Sequence, residues 1–389
     1  MRARNDVCIA GAGMTKFGKH MDRTLAGLAR EAVDNALASA GIEDDDVDLV
    51  LVSNSMAGLL QGQESIRGQV IFADGRFAGV PIVNIENACA GGATAVQVAN
   101  WALSSGSART VIALGAEKLF HQDKAATFRA LASASDVTEP SPPERSIFMD
   151  FYASRARDHM AAFGTTIEMI AEVAAKNRRH GALNPLAQFR EAVSRDDVLA
   201  SRPVAAPLTL LMCSPISDGA AALVLRKQSD VPAGASAVAV RAQALRSGSI
   251  TGPEFLTIGA AAREALGKAG MTVKNLDVAE VHDATAIAEI EAIEAIGIAA
   301  RGDGGPFALA GETALGGAIP VNTSGGLSSR GHPVGATGIA QLCELTWQLT
   351  GKADARQVAD ATVAIAENHG GLIGNDVAVA AITILERVS

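Results

Sequence analysis

The chain has 389 residues, of which 48% are hydrophobic, 19% charged and only 4% aromatic, with 39 glycines and a formal net charge of −9. This is the composition of a well-buried globular protein whose core is made of Ala, Val, Ile and Leu, long enough for two or three domains. The acidic balance argues against a general nucleic-acid or anionic-membrane binder, although a few local cations could still hold a phosphate-bearing substrate.

Four cysteines, Cys8, Cys89, Cys213 and Cys343, are scattered without Cys-x-x-Cys spacing, so neither a metal site nor a disulfide framework is expected. The opening MRARNDVCIAGAG is basic but lacks an apolar stretch of signal-peptide length, and no run approaches the ~18 residues of a membrane helix. A cytoplasmic enzyme is the resulting expectation.

Residues 6–12 read as a buried strand followed by glycine turns. The dinucleotide fingerprint they suggest is weak, because Lys16 stands where its third glycine belongs. Thr24 to Ala40 has apolar residues at helical spacing and stops at Gly41, and residues 48–54 (DLVLVSN) follow as a buried strand.

That phrase returns later. ALASAGIEDDDVDLVLVS (36–53) aligns without a gap on ALGKAGMTVKNLDVAEVH (265–282), with Ala36/Ala265, Gly41/Gly270 and Asp48/Asp277 coinciding. CAGGATAVQ (89–97) matches HPVGATGIA (332–340), and TVIALGAE (110–117) matches TVAIAE (362–367). The apolar runs near 220–225 and 377–385 can close each half. Three matches in one order imply a duplicated unit of alternating strands and helices.

Between Lys118 and about Leu208 the pattern has no counterpart. It contains Pro140, Pro142 and Pro143, the RARD of 155–158 and a helical stretch at 167–180. We read residues 1–117 with 209–232 as the first repeat, 118–208 as an insertion carrying specificity, and 233–389 as the second repeat. The acidic EDDD at 43–46 reads as a solvated turn. Arg155, Arg157, Arg178 and Arg179 could hold the phosphates of an anionic substrate, but exposed helix charges are the simpler reading.

Cys89 lies between a strand closing at Ile85 and an apolar helix opening at Gly91. Unpaired N–H groups and the positive end of the helix dipole at such an elbow favour a thiolate. A cysteine in an apolar segment is more often inert, and only the elbow argues otherwise. His332 occupies the equivalent elbow of the second half. His282 ends a buried strand, the ligand edge of an open α/β sheet. An imidazole beside a thiol can take its proton and later return it to an acyl oxygen.

The segments NACAGGA, CSPISDGAA, HDAT, VNTSGGLSSRGHPVGATG and NHGG resemble, in order, the motifs of the thiolase superfamily, most nearly its sterol-carrier-protein branch. GAGMTKFG near the start and FGTT at 163–166 fit that branch too. The resemblance spans nearly the whole chain. It implies an α/β thiolase fold, in which two repeats of five-stranded mixed sheets form an αβαβα core with a loop domain inserted in the first. It also implies a homodimer or homotetramer that moves acyl groups between coenzyme A thioesters, with the thioester as substrate and no covalently bound cofactor.

Carried over by motif, the resemblance implies that Cys89 accepts the acyl group. His332 would activate Cys89 and help bind the thioester oxygen, with His282 supporting the same oxyanion site. Asn322 would position the loops, the N–H groups of Cys89 and Gly370 would form a second oxyanion hole, and Ser214 would contact the pantetheine arm.

One departure matters. The thiol that removes an α-proton in these enzymes is missing from both of its usual places, which hold Ala284 after His-Asp and His369 in Asn-His-Gly. Cys8, Cys213 and Cys343 lie in apolar or helical contexts and offer no obvious substitute. Three readings follow. His369 or His282 acts as the base; a decarboxylating condensation dispenses with one; or the chain works with a small OB-fold or zinc-ribbon partner, in some cases as an aldolase. A non-catalytic scaffold would not need Cys89, His282 and His332 together.

Overall fold

The computed structural model describes residues 6–138, 146–232, 236–250 and 256–388. The prolines at 140, 142 and 143 and the basic residues before Asp6 lie outside the described residues. In chain order the first part comprises β1 (Val7–Met14), α1 (Leu25–Ala40), β2 (Leu49–Ser53), α2 (Ala57–Gln61), α3 (Arg67–Ile71), β3 (Ile82–Ile85), α4 (Gly91–Ser105) and β4 (Thr110–Lys118). Next come α5 (Lys124–Ala132), α6 (Ile147–Phe163), α7 (Ile167–Leu183), α8 (Arg195–Ala200), a small hairpin of β5 (Pro203–Ala205) and β6 (Leu208–Thr209), and β7 (Asp218–Lys227). The remainder comprises β8 (Val238–Ser247), α9 (Leu256–Ala269), β9 (Val278–Glu280), α10 (Ala286–Ile296), α11 (Gly304–Leu309), α12 (Gly326–Arg330), α13 (Thr337–Leu349), β10 (Val363–Ile373) and β11 (Asp376–Arg387).

The strands run in the order β3-β2-β4-β7-β1-β8-β11-β10-β9. Two mixed halves thus meet where β1 and β8 pair antiparallel through Cys8–Ala239 and Ile9–Val238. The first half has the expected five strands. In the second the fifth place is taken by Val321 alone, which makes a single parallel bridge to Ala279. Strand periodicity decides which core each side chain joins. In β4, Val111 and Ala113 face the central helices, whereas Ile112, Leu114 and Ala116 face α1. Helices α4 and α13 fill the space between the halves, with α1 covering one outer face and α9 the other, which gives five layers.

The duplication has a physical signature beyond sequence. Thr24 caps α1, and Gly41 ends it at φ 64°. Gly270 stands after α9 at φ 68°. The Asp48 carboxylate accepts hydrogen bonds from the N–H groups of Arg109 and Thr110 at 2.8 and 2.9 Å. Asp277 accepts from Thr362 and Val363 at 2.7 and 2.9 Å. These clamps set Thr110 level with Val363, one residue away from the register that the shared threonine and valine suggest.

The expected glycine turn after β1 does not occur. Gly11 and Gly13 lie inside the strand, and α1 crosses directly over them. A Cβ at Gly11 would sit 2.3 Å from the Ala36 carbonyl oxygen, and one at Gly13 2.3 Å from the Ala36 nitrogen. The glycines serve helix–sheet contact rather than a nucleotide.

Candidate active site

Cys89 sits in a single 3-10 turn, Ala88–Ala90, that runs straight into α4. Ala88 holds a left-handed φ of 47°, an unusual conformation for a residue with a Cβ, and this turns the thiol out of the strand direction. His332 precedes the matching turn, Val334–Ala336, that feeds α13. His282 follows β9, and His369 lies within β10. All four line one cavity of about 130 Å³, together with Met56, Leu119, Phe128, Leu131, Phe148, Met149, Tyr152, Ser214, Ile216, Ala284, Gly370 and Gly371. The Cys89 sulfur and one ring nitrogen each of His282 and His332 fall within 4.8 Å of one another. One sulfur and two imidazoles at this spacing could also close on a soft divalent ion such as zinc.

The hydrogen bonds fix the role of each ring nitrogen. Thr337 Oγ1 donates its proton to the Pro333 carbonyl at 3.1 Å and therefore accepts from His332 Nδ1 at 2.7 Å. The other nitrogen of His332, Nε2, is left as a base. Asn368 Nδ2 donates to His282 Nδ1 at 3.1 Å, so His282 carries its proton on Nε2 and is a donor there. His369 donates from Nδ1 to Glu367 Oε1 at 2.9 Å, and its Nε2 accepts from the Tyr152 hydroxyl at 3.0 Å. The three rings form a row, with His282 at 4.9 Å from His332 and 4.4 Å from His369 between centroids.

The electrostatics correct one expectation. Burial pushes the Cys89 thiol up to about 12, with the Glu117 and Glu86 carboxylates adding to the rise. The N–H groups of Gly371 and of Cys89 itself oppose this but do not outweigh it. Burial likewise holds His332 down to about 3, reinforced by the charges of Arg330 and His369, and drives His282 well below the usual histidine range. A helix start alone does not ionise a thiol in an apolar cavity. The resting pair is neutral.

Gly370 and Ser214 line the same cavity, and Asn322 lies outside it. The N–H of Gly371, next to Gly370, reaches the Cys89 sulfur. Gly370 packs on the nucleophile's backbone, where a Cβ would lie 2.5 Å from Ala90 N and 2.7 Å from Cys89 N. Asn322 is fully buried outside the cavity. Its Oδ1 accepts from Val281 N at 2.8 Å and its Nδ2 donates to Glu289 at 2.7 Å, which pins the chain just ahead of His282. Ser214 lies on the cavity wall, its N–H bonded to the Ala284 carbonyl at 2.9 Å.

The arginine reading needs revision. Arg155 and Arg178 are buried rather than exposed. Arg155 pairs with Glu291, and Arg178 lies over Phe189 at 4.5 Å. Arg179 is on the surface and pairs with Glu172 at 2.6 Å, and Arg157 donates to the Ala206 carbonyl at 2.5 Å.

Several site residues were not anticipated. Glu117, at the end of β4, accepts from the N–H groups of Ser55, Met56 and Gly335 at 3.0 to 3.1 Å, which ties the His332 loop to the half that bears Cys89. Asp283 accepts from Leu327 N at 2.6 Å and from the Ser328 hydroxyl at 2.9 Å. Arg330, fully buried, reaches Glu280 at 3.2 Å. Tyr152, the chain's single tyrosine, had a signal in its rarity alone.

A half-buried thiol and three imidazoles share one largely apolar cavity, the arrangement of an enzyme's active site. Comparison with known proteins specifies the family. The model of the thiolase N-terminal domain matches residues 7–229, and that of the thiolase C-terminal domain-like family matches 242–387. The chain belongs to the thiolase family and is an acyl-CoA acyltransferase. It is 40% identical to an acetyl-CoA acetyltransferase of Methanothermobacter thermautotrophicus, over 98% of this chain and all of that one. Human sterol carrier protein 2 is 36% identical over 94% of this chain and 70% of its own length. Benzoylsuccinyl-CoA thiolase subunit BbsB of Thauera aromatica is 32% identical over 92% of each. Among solved structures, an Ltp2-ChsH2(DUF35) aldolase superposes with a TM-score of 0.80 over 98% of both chains at 24% identity, a likeness of fold.

Among the described residues, no helix is long and apolar enough to cross a membrane.

Proposed function

We infer that this acyltransferase works through an acyl-enzyme on Cys89, making or breaking the bond between C2 and C3 of a 3-oxoacyl-CoA. The observation that carries this is the convergence of the Cys89 sulfur with His282 and His332 within 4.8 Å. His332 Nε2 takes the thiol proton as sulfur attacks the carbonyl carbon of the acyl-CoA, and returns it to the departing coenzyme A sulfur as the tetrahedral adduct collapses. The N–H groups of Cys89 and Gly371 face the tetrahedral oxyanion, where loss of one donor typically costs about 2.7–4 kcal/mol of barrier. His282 Nε2–H stabilises the enolate oxygen of the second thioester, and Ser214 borders the pantetheine arm.

Of the two imidazoles considered as bases for the α-proton, His369 fits better, because His282 presents a proton rather than a lone pair. The apolar wall, formed by Met56, Leu119, Leu131, Phe128 and Met149, suits a hydrocarbon acyl group. A homo-oligomer is consistent with β3, the open edge of the sheet, where Val83 is 43% exposed.

The test is mass spectrometry after mixing with acetyl-CoA and hexanoyl-CoA. A stoichiometric acyl adduct on Cys89 that disappears in Cys89→Ala is the expected result, and coenzyme A release without an adduct overturns the mechanism. An aldolase, the activity named for the structural neighbour, would consume a 3-hydroxyacyl-CoA and leave Cys89 unmodified.

A further inference from the structure

With no second thiol among the described residues that line the cavity, the proton at C2 must reach a nitrogen or an oxygen. His332 Nε2 is committed to Cys89, and His282 shows an N–H. His369 is the remaining imidazole, yet its Nε2 does not open directly onto the cavity, because the Tyr152 hydroxyl stands on it at 3.0 Å. Tyr152 comes from α6, on the insertion, and is 2% exposed while lining the cavity that holds Cys89. Behind the ring, Glu367 Oε1 accepts from His369 Nδ1 at 2.9 Å, and its Oε2 accepts from the backbone N–H of His282 at 2.9 Å. A carboxylate, an imidazole and a phenol therefore stand in line and end at the substrate side.

We propose that Tyr152 is a catalytic residue whose hydroxyl relays the C2 proton of the condensing thioester to His369, the task performed elsewhere in the family by the missing thiol. This rests on the acyl-enzyme reading above. In the condensing direction the C2–H bond breaks and its proton joins the Tyr152 oxygen. The phenol's own proton passes in the same event to His369 Nε2, forming an imidazolium held by Glu367. The C–H electron pair becomes the thioester enolate, whose C2 attacks the acyl carbon on Cys89. The C–C bond forms, the C–S bond breaks, and the departing Cys89 thiolate is reprotonated by the proton stored on His369. Cleavage runs these steps in reverse. The phenol gives up a proton for each one it takes, so no free tyrosinate is required. That matters, because burial and the charges of Cys89, Glu291 and Glu367 hold its hydroxyl well above the usual phenol range.

The test separates the two half-reactions with one probe. Acetyl-CoA in D2O reports acylation as a mass shift on Cys89, and α-proton removal as deuterium in recovered acetyl-CoA. Tyr152→Phe should acylate within about threefold of the native rate, yet lose at least about 100-fold in deuterium uptake, the lower end of what general acid–base catalysis contributes. Because the chain has one tyrosine, growth on 3-fluorotyrosine alters this hydroxyl alone. It should change the exchange rate by about threefold or more with acylation unaltered, which keeps the proposal testable if the phenylalanine variant does not fold. Exchange that stays native-like in Tyr152→Phe, or in the fluorinated enzyme where the variant does not fold, overturns the relay. So does a native protein that acylates but exchanges nothing. A native protein with no adduct overturns the acyl-enzyme reading instead.

Discussion

Replacing Thr337 with valine removes one oxygen and almost nothing else. That oxygen accepts the His332 Nδ1 proton at 2.7 Å while its own hydrogen is held by the Pro333 carbonyl. Valine leaves a buried N–H without a partner, a loss of about 1–3 kcal/mol. His332 can then move its proton to Nε2, the nitrogen that must be empty to accept from Cys89. If the penalty falls on the attacking tautomer, acylation slows by roughly 5- to 150-fold, at 1.36 kcal/mol per decade. The assay is the rate of Cys89 acylation by acetyl-CoA, followed by quench and mass spectrometry. Duplication supplies the control, because Thr94 occupies the matching position, donating to Ala90 O at 2.9 Å and accepting from Asn87 at 3.1 Å. Thr94→Val should lose comparable stability to denaturant and acylate within about threefold of native. A Thr337→Val enzyme acylating at the native rate would refute the tautomer argument.

Alkylation of Cys89 by iodoacetamide should rise about tenfold per pH unit from about pH 7 to 10, since the thiolate fraction of a thiol held near 12 grows in that proportion; a plateau below about pH 8 would mean a preformed thiolate. Gly370→Ala forces a Cβ to 2.5 Å from Ala90 N. Overpacking of this kind costs about 1–3 kcal/mol, to be read from the denaturation midpoint, with acylation falling at least about tenfold as the nucleophile's turn shifts. The cavity, about 130 Å³, is close to the ~150 Å³ that accommodates benzene, so kcat/KM should peak near six-carbon acyl groups and fall steeply at sixteen. Leu131→Trp should move that optimum toward acetyl, and an unchanged chain-length profile would exclude this wall as the acyl site.

Landmarks that repeat were legible in the sequence. Gly41 and Gly270, Asp48 and Asp277, and Cys89 and His332 each report one local geometry used twice, and the continuous apolar run within 48–54 marks a strand covered on both faces. The register of the third match was not legible. Thr110 and Thr362 look equivalent as letters, but the carboxylate clamps pair Thr110 with Val363, a choice made by backbone N–H groups that no side chain encodes. The charge state of Cys89 was misread for a related reason. A motif places a thiol at a helix start, whereas burial depends on Leu119, Phe148 and Met149, which arrive from distant segments. Tyr152 and Glu367 were hidden because the link between them runs through His369 across 217 positions of chain to the tyrosine. Arg155 and Arg178 look like surface charges until Glu291 and Phe189 close over them.

The division of labour between the two halves has a consequence for how the protein can be taken apart. The Cys89 sulfur resides on the segment before β8, whereas the imidazoles of His282, His332 and His369 reside after it. A chain severed between β7 and β8 would leave each fragment with its own sheet and outer helix but neither with the complete set of Cys89, His282 and His332. Recovery of turnover on mixing such fragments would report reassembly and nothing else, making the pair a built-in complementation assay.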